Sequence, residues 1–243
     1  MTKFIKLELR KNKLSTYLGA ALWIFIVGLG FCFLFAFIPQ LESVNGGTSS
    51  PKNIAIFTEW SNLITVISMV FAGAFSIMSA IMHAKFTVDE YVGKRAILLF
   101  SYPGSRGRIL FAKCSLVFVF TTLACILCNI VAVLIFAFFS NVFGILPVSF
   151  ELSMLPSVLS ISGICGLLSA SMGLVAMRVG FWKKSLAATI VAAVILVVLL
   201  SQIISNFLQY SIAISLIGMG VLLAAGLLIF MELSSKVNKM EAI

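Results

Sequence analysis

Charge is scarce in this sequence: only 10% of its 243 residues are Asp, Glu, Lys or Arg, against about a quarter in a soluble domain. Histidine is scarcer still, with His83 the single example. One histidine cannot supply the two that a metalloprotease signature sets on one helical face, and His83 has no serine-nucleophile motif to partner it. It reads as a packed or interfacial residue. The only glycine-rich stretch, Gly46-Gly47-Thr48-Ser49-Ser50-Pro51, is not followed by Lys-Ser or Lys-Thr. It cannot cradle nucleotide phosphates and reads as a loop. Cysteines are few: Cys32, Cys114, Cys125, Cys128 and Cys165 all lie in or at the edge of apolar runs. The Cys125-x-x-Cys128 pair has no second pair and no nearby histidine. It reads as packing, since a free cysteine behaves as a small hydrophobe. Catalytic, metal and cofactor-binding residues are therefore expected to be none.

What is abundant is apolar surface. Hydrophobic residues make up 61% of the chain and the mean hydropathy is +1.17. No water-soluble fold could hide that much nonpolar area, so the bilayer is the expected solvent. A hydrocarbon core about 30 Å thick needs about 20 apolar residues in a helix. Runs of that length occur over 17–38, 63–84, 115–139, 155–179, 186–205 and 211–231. None contains Asp, Glu or Lys, and Arg178 stands only at an end. The runs do not alternate, which excludes a barrel, and lipid demands that backbone groups be satisfied within each helix. The expected fold class is an all-α integral membrane protein with six transmembrane helices.

The cations then orient it. Sixteen of the 17 Lys and Arg residues fall on one side, in the N-terminal segment, in the connection after span two, in the turn after span four and in the tail. Lys52 is alone on the other side. The positive-inside rule puts the sixteen, and both termini, in the cytoplasm. The basic balance is thus a topology signal, and no nucleic-acid partner is expected. Tyr17 and Trp182 fall at the inner boundaries and Trp60 and Tyr210 at the outer ones, where interfacial aromatics belong. Span one lacks a small-residue cleavage site and reads as a retained anchor.

Three parts are expected along the chain: an interfacial basic segment over 1–14, a six-helix membrane domain over 15–235 and a cytoplasmic tail over 236–243. In the first, Lys3, Lys6, Arg10 and Lys13 share a face, while Phe4, Leu7 and Leu14 share another. An interfacial helix and a bare topology signal account for it equally. The connection 85–114 is the longest and most charged cytoplasmic loop. Thr87-Val88-Asp89-Glu90 fits a capping box, which predicts a short helix over 88–101 that Pro103-Gly104 ends. Neutral polar residues punctuate the spans. Many of them can bond back to their own helices, whereas Asn129 and Gln202 are the costliest to bury and are expected to face another helix or a cavity; these two, with Thr65 and Thr122, are the candidates for a pathway or for helix packing. Small residues recur at four-residue spacing in Ala72/Ser76/Ala80 and Ser162/Gly166/Ala170, which permits close helix contact.

The stretch from Glu90-Tyr91-Val92-Gly93-Lys94-Arg95 through Pro103-Gly104-Ser105-Arg106 to Lys113 resembles the permease subunit of an ABC-2 type ATP-binding-cassette exporter. That family typically shows an acidic residue, a short helix, a Pro-small-Ser-Arg turn and a lysine leading into span three. The very short connection before the last span departs from relatives that carry re-entrant helices there. The resemblance implies a cytoplasmic coupling helix between spans two and three, with Asp89, Glu90, Tyr91, Lys94, Arg95, Leu98 and Arg106 as ATPase-coupling residues. It implies a separate ATPase subunit that binds ATP and Mg, a second permease chain, and a location in the bacterial plasma membrane. The implied cargo is hydrophobic or amphipathic, such as an antimicrobial peptide or drug, as in lantibiotic-immunity exporters. An ATPase-independent carrier or channel and a non-transporting membrane scaffold or assembly factor are the alternatives.

Overall fold

The computed structural model describes residues 14–44, 59–91 and 106–207, with eight further positions between 220 and 232. Every regular element among them is helical. The helices are α1 (Leu14–Val44), α2 (Trp60–Tyr91), α3 (Arg106–Phe143), α4 (Leu155–Lys183) and α5 (Leu186–Phe207). Four stretches are long and apolar enough to cross a membrane: Leu14–Ile38, Trp60–Tyr91, Ile109–Phe143 and Leu152–Lys183. The fifth expected span is helical as α5. The sixth falls where the described positions, from Gly220 to Glu232, are also helical.

The helix ends differ from the sequence expectation for identifiable reasons. Helix α1 runs through Pro39 to Val44, although a proline there removes one hydrogen bond and crowds the carbonyl of Phe35. Pro156 fits the first turn of α4, where its missing N–H costs nothing. At the other end of α4, Lys184 adopts a left-handed conformation with φ 49°. Its N–H bonds to Gly180 O, and Ser185 N–H reaches the same carbonyl at 3.2 Å. Helix α5 starts two residues later, so α4 and α5 form a tight antiparallel hairpin.

Helices α2 and α4 form the central pair. Helix α3 packs on both, α1 covers α2 and α3, and α5 covers α2 and α4. Gly226 is buried, and a Cβ built on it would meet Ser171 and Leu174 at 3.6–3.8 Å. Seven residues further along α4, Arg178 holds Glu232 in a two-pronged ion pair at 2.7 and 3.3 Å. The described positions from Gly226 to Glu232 therefore follow α4 in the same direction. The outward faces are strongly apolar: Trp23 is 69% exposed, Phe138 67% and Phe143 70%. Faces of this kind suit lipid or another apolar surface.

The end opposite the cations is closed by a packed loop. Gly144, with φ 61°, ends α3. Asn141 then clips the loop, its side chain exchanging hydrogen bonds with the backbone N–H and C=O of Phe150 at 2.8 and 3.2 Å. Trp60 Nε1–H donates to Val148 O at 2.7 Å, and its ring lies against Phe136 and Phe150. Residues 144–151 thus form a lid on the end of α2. Trp60 and Tyr17 sit at helix ends as expected, but both are buried, Tyr17 edge-on against Phe86. Of the four expected belt aromatics only Trp182 is seen facing outward, with Lys183 Nζ over its ring, while Tyr210 lies outside the described residues.

Candidate functional site

The first correction concerns the start of the long connection. Thr87 does not cap a new helix. Helix α2 continues past His83 through a π-helical turn, Ala84–Val88, and ends with Asp89–Tyr91. Thr87 lies inside that turn, fully buried. Burial explains the outcome: Ala84, Phe86, Val88 and Tyr91 are apolar side chains that find partners on α1, α3 and α4, and following them keeps the chain helical. A π turn accommodates one extra residue and often marks a functional or mobile point in a helix.

Glu90 and Lys113 lie at the basic end of the bundle, where α2 ends and α3 begins. Lys113 Nζ donates to Glu90 Oε2 at 2.7 Å and to Phe86 O at 3.1 Å. Lys113 is 1% exposed and the Glu90 side chain 11%. Tyr91 packs edge-on against Phe181 of α4, 5.8 Å between centroids. The side chains of Glu90 and Tyr91, expected to couple to an ATPase, point inward and hold the ends of α2, α3 and α4 together. Glu90 and Lys113, 23 residues apart, are brought together by the antiparallel run of α2 and α3. Asp89 shares the last turn. Lys94, Arg95 and Leu98 lie outside the described residues, as do the side chains of Arg106 and Gln202.

Three of the four polar residues expected to line a pathway or pack helices, Asn129, Thr65 and Thr122, are placed among the described side chains. Asn129 is fully buried where three helices meet. Its amide donates to Ser68 Oγ of α2 at 2.8 Å and to Ser162 Oγ of α4 at 3.1 Å. Such a node fixes the register of three helices at once. Thr65 bonds back to Ser61 O at 2.7 Å, and Thr122 lies beside Gly166 at the α3–α4 contact. Cys125 is a buried free thiol and Cys128 a half-buried one.

Sequence analysis missed the most unusual feature. Ser76, Ser79, His83 and Thr87, spaced three, four and four apart, form a polar stripe on α2, and all four are fully buried. Opposite it, α4 carries Gly173, the middle one of Gly166, Gly173 and Gly180 at seven-residue spacing. A Cβ at Gly173 would overlap Ser79 Oγ and come within 3.2 Å of His83 Cδ2. Gly166 instead faces Ile126 and Thr122 of α3, and a Cβ at Gly180 would overlap Thr189 Oγ1 of α5 and crowd Val88 at 3.2 Å. Gly173 lets α4 close directly onto Ser79 and His83. Ser76 Oγ is satisfied by Ala72 O at 2.6 Å. Ser79 Oγ and both imidazole nitrogens of His83 have no hydrogen-bond partner among the described residues. Thr87 Oγ1 has only the Cys114 thiol beside it, a weak partner. Each buried polar atom left unpaired costs about 1–3 kcal/mol. The serine–histidine spacing on α2 and the heptad of glycines on α4 were visible in the sequence; the apposition of Gly173 to Ser79 and His83 was not.

No protein-family model matches the sequence, and no solved structure matches it. The chain is similar to the uncharacterized protein YcbO of Bacillus subtilis (strain 168). The two are 26% identical over 203 residues, covering 84% of this chain and 85% of the relative. The similarity spans nearly the whole bundle, and the relative's name assigns it no activity.

Proposed function

We propose that the chain is the membrane-spanning permease subunit of an ATP-binding-cassette exporter of the ABC-2 type. It has six spans, both termini in the cytoplasm, and a separate ATPase as its motor. The observation that carries this reading is the shape of the basic end. Helix α2, with 32 residues in Trp60–Tyr91, is about 48 Å long at 1.5 Å per residue, well beyond the roughly 30 Å of hydrocarbon. Helix α3 has 38 residues and overshoots further. Their ends are locked by Glu90 and Lys113, so a force applied to the connection 92–105 reaches the core of the bundle instead of bending a loose loop. That connection holds Lys94, Arg95 and Leu98, and its Pro-Gly-Ser-Arg turn carries the resemblance to ABC-2 permeases. In this reading Glu90 and Tyr91 transmit force, while Lys94, Arg95 and Leu98 touch the motor. Two such chains would enclose the path of a hydrophobic or amphipathic cargo.

The test is co-purification from native membranes, with the partner identified by mass spectrometry. An ATPase with a phosphate-binding loop is expected with the native chain. It should be lost with Lys94→Glu/Arg95→Glu while the thermal transition of the chain stays unchanged. Transport of solute by the purified chain alone in liposomes would defeat the proposal. So would labelling of residues 92–105 from outside intact cells.

A further inference from the structure

We infer that the contact between α2 and α4 has a second, open arrangement, in which water enters from the basic end and reaches Thr87, His83 and Ser79. This water track lies inside one chain and does not depend on the exporter reading or on any partner. In the closed packing, Ser79 Oγ occupies the notch left by Gly173, so no room for water is left beside it. Yet Ser79 and His83 are fully buried with three polar atoms lacking partners among the described residues. Most hydroxyls elsewhere in the bundle are satisfied: Thr121, Ser169, Ser171 and Thr189 each bond to a carbonyl of their own helix. Of the seven unpartnered buried polar atoms among the described residues, four lie on this stripe, on Ser79, His83 and Thr87, over a rise of about 12 Å and beside Gly173; the others are Thr122 Oγ1, Asn129 Oδ1 and Ser140 Oγ, all on α3. Water would supply the missing bonds of the stripe.

The fold also contains the means of opening. The π turn Ala84–Val88 interrupts α2 between His83 and Glu90. A π turn is a point at which helix geometry can relax. The Asn129 node holds α2, α3 and α4 together above it, and the Glu90–Lys113 pair holds α2 to α3 below it, so α4 is the helix that parts from the Ser79–Thr87 stretch at the basic end. Glycine on the facing helix keeps the closed state accessible without side chains to withdraw.

His83 is the sole histidine of the chain, which permits a test on the unaltered protein, purified with a histidine-free tag. Diethyl pyrocarbonate is added to the folded chain, and acylation of His83 is followed by peptide mass spectrometry. Modification at a rate within about 100-fold of the detergent-unfolded chain is expected. No modification over hours, with full modification on unfolding, would overturn the inference. A second measurement uses the cysteine-free chain in membranes with a charged methanethiosulfonate. Ser79→Cys should react at least tenfold faster than Met82→Cys, whose position is equally buried but lies in the apolar cluster with Tyr17 and Phe86. Equal rates at the two positions, both slow or both fast, would count against a track confined to this seam.

Discussion

Replacing Lys113 by methionine while Glu90 remains is expected to destabilise the bundle by about 3–5 kcal/mol, because a carboxylate stays buried without its cation. The magnitude follows from the geometry. At 2.7 Å and an effective dielectric of about 20, the gross attraction is about 6 kcal/mol. Desolvating the two groups cancels most of it, since each ion loses several kcal/mol of hydration. The pair as a whole is thus near neutral, and the cost appears only when one partner is removed. Lys113 also donates to Phe86 O, so its loss strips a carbonyl in the π turn as well. Glu90→Gln should cost less, because an amide still accepts a bond from the ammonium. The double variant Glu90→Gln/Lys113→Met should recover part of the loss, with a coupling energy of about 1–3 kcal/mol. Thermal unfolding in detergent, followed by tryptophan fluorescence and repeated across a denaturant series, measures all four corners of the cycle. If Lys113→Met unfolds with the native protein, or the two single effects simply add, the ion pair does not join α2 to α3 as described.

Three further outcomes are expected from the packing. Gly173→Ala should cost about 1–3 kcal/mol by overpacking against Ser79, and Ser79→Ala should relieve only part of that in the double variant, read as partial recovery of the unfolding midpoint, because its Cβ stays 2.7 Å from the new methyl group. Asn129→Leu should lose about 1 kcal/mol, the scale of a polar contact between apolar helices; an unchanged midpoint would show that the node with Ser68 and Ser162 is not formed. Asn141→Ala should free the lid over Trp60, raising amide exchange at Phe150 at least tenfold while exchange in α2 stays constant.

Part of this protein was legible in its sequence. Apolar runs long enough for a bilayer mark the helices, because a buried backbone must satisfy itself locally. The first five apolar runs fall within the described helices Leu14–Val44, Trp60–Tyr91, Arg106–Phe143, Leu155–Lys183 and Leu186–Phe207. Back-bonding of Thr65 and the packing role of Asn129 also follow from chemistry that is local or generic. Side-chain inventory alone could not assign Glu90, Tyr91 and Thr87. A carboxylate, a phenol and a hydroxyl near the end of a span read as an exposed cap and docking surface, and only the arrival of Lys113, Phe181 and α4 turned them inward. Pairing between residues that lie far apart in the chain depends on which helices become neighbours, and periodicity carries no information about that choice. The same holds for the stripe of Ser79 and His83. Its spacing is written in α2, and Gly173, which meets it, is written in α4, but only close approach of the two helices excludes water from Ser79 and His83.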